Sequence, residues 1–445
     1  MARMFGTDGV RGIANTELTC KTAYELGQAA AIVLTKGTHK PKLLIGRDTR
    51  ISGDMLECAL VAGICSVGAT AVTVGVLPTP GIAYLTRKLG MDAGVVISAS
   101  HNPVAYNGIK FFDGQGWKLP DALEDEMEAL IHQGIQALPG GAEVGIREQL
   151  PDGAAQYRDF LYAQVEGSFT GMKIVLDCAN GASSAIAPEL FASLGAEVIA
   201  LHDHPDGHNI NDACGSTHPQ SMQEKVRQTG ADLGLAFDGD ADRLLVCDET
   251  GTMLDGDVIM GLCALDMKTR GQLKKDTLVV TVMSNIGLER SLQEHGISLV
   301  KTDVGDRYVV EAMRKGGYNI GGEQSGHVLM TDLSTTGDGM QSALAFVQVV
   351  RRDGHKLSEQ RKKIRIYPQV LVNAHVHAEH KNTYADHPVI AAKMEELAKA
   401  YAGNGRVLIR PSGTEHLIRV MIEGPDEKQM YAHARELADL MEEYL

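Results

Sequence analysis

The chain has 445 residues, of which 42 are basic and 57 acidic, and its formal net charge is −15 at pH 7. A chain of this length exceeds one ordinary core, so we expect roughly two to four domains. The acidic balance argues against a general binder of nucleic acid or of anionic membranes. We therefore expect no nucleic-acid partner and no membrane partner, and any anionic substrate must be met by local cations.

The cysteines and the apolar segments indicate the cellular compartment. Seven cysteines are scattered without a Cys-x-x-Cys pair, which is typical of reduced thiols in a cytoplasmic protein. The first residues show no apolar signal segment. The stretch from Cys58 to Thr86 carries no charge, but its glycines and prolines favour a helix followed by a buried strand over a membrane span. We expect a cytoplasmic location.

Short apolar strands alternate with loops and helices along most of the chain, which is typical of α/β units with largely parallel sheets. In chain order, the predicted strands are Leu43–Gly46, Ala71–Val76, Gly94–Ile97, Lys173–Asp177, Asp232–Phe237, Leu278–Met283 and Tyr318–Ile320. Ser52 is predicted to cap the helix after the first of them. Ligands in such folds usually bind at the carboxyl ends of strands, so the loops there are the candidate functional loops.

A different pattern follows Pro368. Two predicted strands, Arg406–Arg410 and Leu417–Glu423, flank a loop, and a helix runs from about Asp426 to the end. This pattern predicts a small α+β domain. We predict the domain ranges 1–153, 154–254, 255–367 and 368–445, with boundaries good to a few residues.

The clearest chemical signal is the loop after the strand that ends at Phe237. Asp238, Asp240 and Asp242 place three carboxylates at alternate positions, where they can converge on a hard divalent cation such as Mg²⁺. An EF-hand loop is excluded because Arg243 stands where that loop needs glycine. The sequence therefore predicts a magnesium site.

A second loop runs from Ser98 to Pro103, and Asn102-Pro103 favours an extended or turn geometry that holds the Ser100 hydroxyl outward. The Gly-x-Ser-x-Gly elbow of a hydrolase is lacking. On the loop alone, Ser98 or Ser100 is either a turn-forming serine or a nucleophile. A hydroxyl that carries phosphate and a carboxylate-held Mg²⁺ are together parts of a phosphoryl-transfer site.

A third loop, Gly321–His327, has two glycines that would let the backbone approach a ligand. Glu323 and Ser325 offer an acceptor and a hydroxyl suited to sugar hydroxyls or to an amine, and His327 could move a proton near neutral pH. The alternative is a glycine-rich turn with an exposed histidine.

A fourth loop lies between the last two predicted strands. Ser412 and Thr414 supply hydroxyls, Gly413 supplies accessible backbone amides, and Arg410 and Arg419 supply positive charge. Together they predict a phosphate clamp, with a simple hairpin turn as the alternative.

The sequence argues against two further kinds of site, a transition-metal cluster and a nucleotide-binding loop. The histidine-rich segment from His202 to His218 resembles a transition-metal cluster, but its spacing matches no common zinc pattern and we interpret it as a loop. The chain has no Gly-Lys dipeptide, which excludes a Walker A phosphate loop and argues against a nucleotide-driven kinase.

Taken in order, these loops resemble the α-D-phosphohexomutase superfamily over essentially the whole chain. The matching segments are Phe5–Gly12, Tyr106–Lys110 and the four loops above. The resemblance implies an α/β fold, with three related domains of mixed or parallel sheet and a smaller C-terminal α+β domain of antiparallel sheet, around a central cleft.

The resemblance also implies residue roles. It assigns catalytic roles to Ser100, which is phosphorylated, and to Lys110, His327 and Arg11, without deciding which of these three is the general acid or base. It assigns Mg²⁺ binding to Ser100, Asp238, Asp240 and Asp242. It assigns substrate binding to Arg243, Glu323, Ser325, Arg410, Ser412, Gly413, Thr414 and Arg419.

The implied reaction moves a phosphoryl group from phosphoserine to a sugar monophosphate. A hexose 1,6-bisphosphate intermediate, which also serves as activator, then returns its other phosphate to the serine. Within the family, Gln324 and the Phe-Gly-Thr-Asp-Gly start favour glucosamine phosphate, with a role in amino-sugar nucleotide and cell-wall precursor synthesis. The alternatives are a glucose or mannose phosphate mutase, a metal-dependent phosphatase and a catalytically silent sugar-phosphate binder. A homodimer is compatible with the sequence.

Overall fold

The computed structural model describes residues 3–6, 8–35, 40–135, 138–412 and 416–445. The chain divides into two compact units. The first unit comprises Met1–Met283 and Ile297–Lys363, and the second comprises Ser284–Gly296 and Ile364–Leu445. Both units combine helices with sheets, and the predicted fold class is confirmed.

The first sheet has the strand order β1-β5-β4-β2-β3-β6. Its strands are β1 (Val10–Ile13), β2 (Lys42–Arg47), β3 (Thr70–Val76), β4 (Ala93–Ile97), β5 (Tyr106–Asp113) and β6 (Arg147–Gln149). Its helices are α1 (Cys20–Val33), α2 (Ser52–Ser66), α3 (Thr79–Lys88) and α4 (Asp121–Gln133). The neighbours β4-β2-β3-β6 pair in parallel, whereas β5 runs antiparallel to β1 and β4. The β4–β5 hairpin therefore holds the serine loop at the end of a buried strand.

Two details of this sheet differ from the sequence predictions. Ser52 does not cap α2, because it is the first helical residue and its Oγ accepts a hydrogen bond from Asn107 Nδ2 at 2.9 Å instead. The segment Leu138–Gly153, rich in glycine and proline and predicted from the sequence to join the first two domains, contains β6, which extends the sheet along β3. In the described part of the chain, no helix is long and apolar enough to cross a membrane.

The remaining sheets of the first unit have the strand orders β11-β10-β9-β7-β8 and β13-β12-β14-β15. Their strands are β7 (Lys173–Asp177), β8 (Glu197–Leu201), β9 (Leu233–Phe237), β10 (Leu244–Asp248), β11 (Met253–Leu254), β12 (Thr277–Thr281), β13 (Ser298–Thr302), β14 (Ile320–Gly322) and β15 (Val328–Met330). The helices along this stretch are α5 (Gly153–Tyr162), α6 (Ala187–Ser193), α7 (Gln220–Thr229), α8 (Gly256–Thr269), α9 (Ile286–Glu294), α10 (Asp306–Gly316), α11 (Gly339–Asp353) and α12 (Leu357–Gln360). Of these helices, α9 belongs to the second unit.

The predicted loop Gly321–His327 begins later than expected. Gly321 and Gly322 are strand residues of β14, paired with Val279 and Val280 of β12. A Cβ atom on Gly321 would lie 2.7 Å from the Met313 sulfur, so this glycine is needed for packing under α10. The expected approach of a ligand to these glycines stays a prediction, whereas their pairing in β14 gives them a structural role.

The second unit contains an antiparallel sheet of order β16-β18-β17. Its strands are β16 (Gln369–His375), β17 (Arg406–Pro411) and β18 (Leu417–Glu423), and its further helices are α13 (Pro388–Ala400) and α14 (Glu427–Tyr444). Alternate residues of β18, such as Ile418 and Ile422, pack in one core with Leu437 and Met441 of α14. The strand–loop–strand–helix pattern predicted for this region is confirmed.

Candidate active site

Ser100 lies in the loop after β4 and is buried. Its φ angle is 52°, a left-handed conformation that residues other than glycine seldom adopt. The Oγ atom donates a hydrogen bond to Asp238 Oδ2 at 2.5 Å and lies 3.3 Å from His101 Nδ1. The turn therefore presents the hydroxyl to the aspartate loop and to the neighbouring imidazole at the same time.

A buried arginine supports the serine loop from beneath. The Arg50 guanidinium donates hydrogen bonds of 2.6 to 3.0 Å to the carbonyl oxygens of Ser100, Asn102, Pro103 and Tyr106. Asp48 accepts from Arg50 Nε at 2.8 Å and from Ser98 Oγ at 2.6 Å, and Asn211 Nδ2 donates to the Ser100 carbonyl at 2.8 Å. These charge-assisted bonds hold the strained backbone in place.

The aspartate loop joins β9 to β10, and all three of its aspartates are buried. One oxygen from each lies within 4.8 Å of the other two. Among the described residues, Asp240 Oδ1 and Asp242 Oδ1 have no hydrogen-bond partner. Buried carboxylate oxygens without partners are costly, so this set of donors fits a hard divalent cation such as Mg²⁺. Burial, together with the nearby charges of Asp242 and Asp240, raises the pKa of Asp238 to about 8.

The serine and aspartate loops are in direct backbone contact. A Cβ atom on Gly239 would lie 2.5 Å from the Ser100 carbonyl oxygen, so a larger residue would push the loops apart. Thr79, at the start of α3, donates from its Oγ1 to Asp240 Oδ2 at 2.6 Å. The three elements therefore fix the Ser100 hydroxyl relative to the carboxylates.

Buried and partly buried charges of alternating sign close into a ring around this centre. We call it the charge ring, and its members are Asp8, Lys110, Asp242, His327, Asp306 and Lys118. Within the ring, the Lys110 Nζ lies 2.9 Å from Asp8 Oδ2 and 3.8 Å from Asp242 Oδ2. It also lies 2.8 Å from Oδ2 of Asp240, which is not a member of the ring. Burial opposes the charge of Lys110, but Asp240 and Asp8 raise its pKa above the ordinary value.

The other half of the charge ring passes through Lys118 and His327. The Lys118 Nζ lies 2.6 Å from Asp8 Oδ1 and 2.5 Å from Asp306 Oδ2. His327 Nε2 lies 3.3 Å from Asp306 Oδ2, and its Nδ1 lies 3.6 Å from Asp242 Oδ2. Although burial favours neutral imidazole, Asp242 and Asp306 raise the pKa of His327 to about 10. The two carboxylates thus favour the protonated imidazole, and because His327 is buried, its alternative interpretation as an exposed histidine is wrong.

Two arginines offer donors to an anion at this site. The Nε atoms of Arg11 and Arg243 are buried and have no hydrogen-bond partner within the described ranges. Burial, with the nearby charges of Arg243 and Arg11, lowers the pKa of His101 to about 4. A neutral His101 can accept a proton or a hydrogen bond, and the guanidinium groups suit phosphate oxygens.

The loop proposed to select the sugar lies beside the aspartate loop. The Leu244 N–H, just after that loop, donates to the Gly326 carbonyl at 3.0 Å. Glu323 is half-buried and accepts from the Gly305 N–H at 3.2 Å, whereas Ser325 is exposed at the turn. The loop that carries Glu323 and Ser325 is therefore hydrogen-bonded at the end of the aspartate loop, and the sugar-binding role of the two residues stays a prediction.

In the second unit, Arg410 and Arg419 stand opposite each other on β17 and β18. Burial and the charge of Arg419 lower the pKa of Arg410, and Arg410 Nε has no hydrogen-bond partner among the described residues. Like charges directly opposite in a sheet are destabilising, and an anion between them would relieve the repulsion. Ser412, which directly follows β17, is buried. Gly413 and Thr414 lie outside the described residues.

Sequence reasoning missed several residues that shape this site. Asp8 lies inside a segment that was matched to the family, so its charge was visible there. Lys118, Asp306, Thr79 and Arg50 belong to no motif that the sequence analysis identified. Their partners are distant in the chain, and only folding brings them together.

A hydroxyl beside a carboxylate cradle, lined by cations, is the arrangement of a phosphoryl-transfer enzyme. Comparison with known families places the chain more narrowly. Models of the phosphoglucomutase/phosphomannomutase family match it as alpha/beta/alpha domain I over residues 2–137, domain II over 155–251, domain III over 255–367 and the C-terminal domain over 371–440. The chain belongs to this family of enzymes.

Curated relatives support a narrower resemblance. A phosphoglucosamine mutase from Thermoanaerobacter sp. (strain X514) is 56% identical over 446 residues, covering 100% of both chains. One from Clostridioides difficile (strain 630) is 54% identical over 449 residues, again with 100% of both covered. One from Desulforamulus reducens is 53% identical over 443 residues, with 99% of both covered. The predicted family resemblance is confirmed.

Solved structures share the fold at low identity. A phosphoglucomutase/phosphomannomutase family protein from Burkholderia thailandensis has a TM-score of 0.82 at 23% identity, with 98% of each chain covered. An Aspergillus fumigatus N-acetylphosphoglucosamine mutase, solved with GlcNAc-6P and magnesium, has a TM-score of 0.72 at 18% identity, with 99% of this chain and 95% of that one covered.

Proposed function

We propose that the chain interconverts glucosamine 6-phosphate and glucosamine 1-phosphate, and so supplies amino-sugar nucleotide and cell-wall precursor synthesis. The observation that carries the proposal is the 2.5 Å hydrogen bond from Ser100 Oγ to Asp238, at the edge of the carboxylate cradle. The full-length relatives above 50% identity, which are named phosphoglucosamine mutase, support the choice of sugar.

The metal site is proposed from the donor set. Asp238, Asp240 and Asp242 would hold Mg²⁺, with an oxygen of phosphorylated Ser100 as a further ligand. The orphaned oxygens of Asp240 and Asp242 support this assignment. When bound, Mg²⁺ neutralises charge that develops on the phosphoryl oxygens.

The reaction proceeds by two transfers at one serine. A sugar hydroxyl attacks the phosphorus of phosphoserine 100, a new P–O bond forms and the P–Oγ bond breaks. The hexosamine 1,6-bisphosphate then turns over, and its other phosphate returns to Ser100 Oγ. The cations Lys110, His327 and Arg11 would stabilise the charge on the transferring group, while positioning does most of the remaining catalysis.

Substrate recognition is divided between loops in this proposal. Glu323 and Ser325 would bind sugar hydroxyls or the amine, and Arg243 would bind beside the aspartate loop. The phosphate that is not transferred would be held by Arg410, Ser412, Gly413, Thr414 and Arg419. The positive charges of Arg410 and Arg419, which stand opposite each other on β17 and β18, support an anion site in the second unit.

We further propose the four-domain division at residues 153, 254 and 367, which the four matched family segments support. The cytoplasmic location and a homodimer remain predictions from the sequence.

Product analysis tests the proposal. Phosphorus-31 NMR would follow the chain with Mg²⁺, a trace of hexose 1,6-bisphosphate and one of glucosamine, glucose or mannose 6-phosphate. We expect the 1-phosphate to appear fastest from glucosamine 6-phosphate. A faster glucose or mannose reaction would overturn the substrate assignment, and inorganic phosphate as the main product would indicate a phosphatase.

A further inference from the structure

A second group of metal-ligating side chains lies on the sheet that carries the aspartate loop. Asp177 ends β7, His202 directly follows β8, and Cys214 lies in the loop beyond it. Each offers a ligand atom within 4.8 Å of the other two. Asp177 and Cys214 are fully buried, and the His202 side chain is 30% exposed. We call these residues the Asp–His–Cys cluster.

One oxygen in this cluster lacks a partner. Asp177 Oδ1 accepts hydrogen bonds from the Ala179 N–H and from His202 Nδ1, both at 3.0 Å. Asp177 Oδ2 is buried and has no hydrogen-bond partner in the part of the chain that the structure describes. A buried carboxylate oxygen left unpaired is costly, so a cation there would be stabilising.

The donor set differs from that of the aspartate loop. The Asp–His–Cys cluster combines one oxygen, one nitrogen and one sulfur donor, which suits a borderline-soft cation such as Zn²⁺ and disfavours Mg²⁺. Three protein ligands leave a fourth position for water, and the partly exposed His202 gives a route for entry.

We propose that Asp177, His202 and Cys214 bind one Zn²⁺ ion, at a site separate from the magnesium site of the proposed reaction. On binding, the Cys214 thiol loses its proton to solvent and its sulfur bonds to the metal as a thiolate. His202 likewise binds through a deprotonated ring nitrogen. Without metal the thiol stays protonated, because burial and the charge of Asp177 raise the pKa of Cys214 to about 12.

From its sequence, the histidine-rich segment is interpreted as a loop, with no metal ligands predicted there. His204 is 91% exposed in its side chain and pairs with Asp203 rather than joining the cluster. The cluster instead combines His202 and Cys214, which both lie in the segment after β8, with Asp177 at the end of β7. Spacing within the histidine-rich segment therefore gave no zinc pattern.

Zinc would also stabilise the support of the serine loop. The Asn211 N–H donates to the Ala179 carbonyl at 2.9 Å, and Asn211 Nδ2 donates to the Ser100 carbonyl at 2.8 Å. Because the Ala179 N–H also donates to Asp177, the cluster and the Ser100 backbone are linked through Ala179 and Asn211. This consequence for activity rests on the proposed function, whereas zinc binding itself does not.

Cobalt spectroscopy tests the site on the full-length chain. The protein would be stripped with a chelator and titrated with Co²⁺ in excess Mg²⁺. We expect a sulfur-to-cobalt charge-transfer band that Zn²⁺ displaces with one-to-one stoichiometry. Cys214→Ser should abolish the band, whereas Cys263→Ser, which removes another buried thiol, and Asp240→Asn should keep it.

Absence of the band in the wild-type chain, or its persistence in Cys214→Ser, would overturn the proposal. If Cys214→Ser fails to fold by circular dichroism, His202→Gln serves as the second variant. Loss of an outer-shell partner of a metal ligand weakens metal binding about 10–100-fold. His202→Gln removes a proposed ligand itself and should therefore weaken Zn²⁺ binding by more than this. Unchanged zinc affinity in His202→Gln would also overturn the proposal, and neither result depends on mutase activity.

Discussion

The Nζ atom of Lys118 lies 2.5 Å from Oδ2 of Asp306, a residue 188 positions later in the chain. Lys118 also contacts Asp8 at 2.6 Å, so this one lysine closes the charge ring between the first and third sheets of the first unit. Lys118 contacts Asp8 and Asp306 contacts His327, which both belong to segments matched to the family, yet no matched segment contains the pair itself. We infer that it holds the ring in place.

Lys118→Met should therefore destabilise the protein strongly. Removing one partner of a buried ion pair costs about 3–5 kcal/mol. Here Lys118→Met takes one cation from both Asp8 and Asp306. Asp8 then keeps Lys110 and Arg11 as cationic neighbours, and Asp306 keeps His327. Urea unfolding measures the loss, and Lys118→Arg should restore part of it. Lys21→Met, which removes an exposed helical ion pair with Glu25, is the control and should change the unfolding curve little.

Ser100→Ala should abolish turnover and leave the fold intact, because it removes the atom that would carry the phosphoryl group. Phosphorus-31 NMR measures turnover, and thermal unfolding checks the fold. Ser193→Ala, at the exposed end of α6, is the matched control and should keep full activity. Measurable mutase turnover by Ser100→Ala would remove Ser100 from the mechanism.

Magnesium should stabilise the protein more at high pH than at low pH. The pKa of Asp238 is raised to about 8, above its value in an unfolded chain, mainly by burial. Its contribution to the stability of the metal-free protein is therefore fully present below about pH 4 and is lost as the pH rises through about 8. Above that pH the ionised triad binds Mg²⁺ best.

Thermal melts with and without Mg²⁺ at pH 6 and pH 8.5 would measure this effect. The shift in melting temperature on adding Mg²⁺ should be larger at pH 8.5, because binding to the native state stabilises it by mass action. Asp240→Asn should reduce the shift at both values. A shift of equal size at both pH values in the wild type would contradict the coupling.

Arg419→Ala should raise KM and leave kcat nearly unchanged, because the proposed clamp holds a phosphate that does not react. Loss of a charge-assisted hydrogen bond costs about 1.5–3 kcal/mol, which corresponds to a KM roughly 10- to 100-fold higher. Steady-state kinetics with glucosamine 6-phosphate measures both constants. Arg435→Ala, on α14, is the control, and an Arg419→Ala variant with wild-type kinetics would remove the clamp from the mechanism.

Much of the site could be predicted because its main groups directly follow apolar strands. Asp238 follows β9 and Ser100 follows β4 by a few residues, and polar side chains at strand ends are where α/β folds place their ligands. The aspartate spacing also points to a cation on its own. Local pattern and topology therefore agreed for these residues.

The rest depended on contacts that no local pattern encodes. Serine is a common helix cap, but the Ser52 hydroxyl instead accepts a hydrogen bond from Asn107, which is distant in the chain. Neighbours such as Ser100 and His101 seldom face each other, but the positive φ angle of Ser100 brings the two side chains within 3.3 Å. Lys118 and Asp306 could not be assigned to the site from the sequence, because only folding brings them together as an ion pair.

Intact-protein mass spectrometry would show whether Ser100 carries the transferred phosphoryl group. The chain would be treated with a hexose 1,6-bisphosphate and Mg²⁺, freed of the sugar, and then given glucosamine 6-phosphate. We expect one added phosphoryl group, located on Ser100 by peptide mapping, that is passed to the sugar to give the bisphosphate. A chain that turns over substrate while Ser100 never carries phosphate would contradict this expectation.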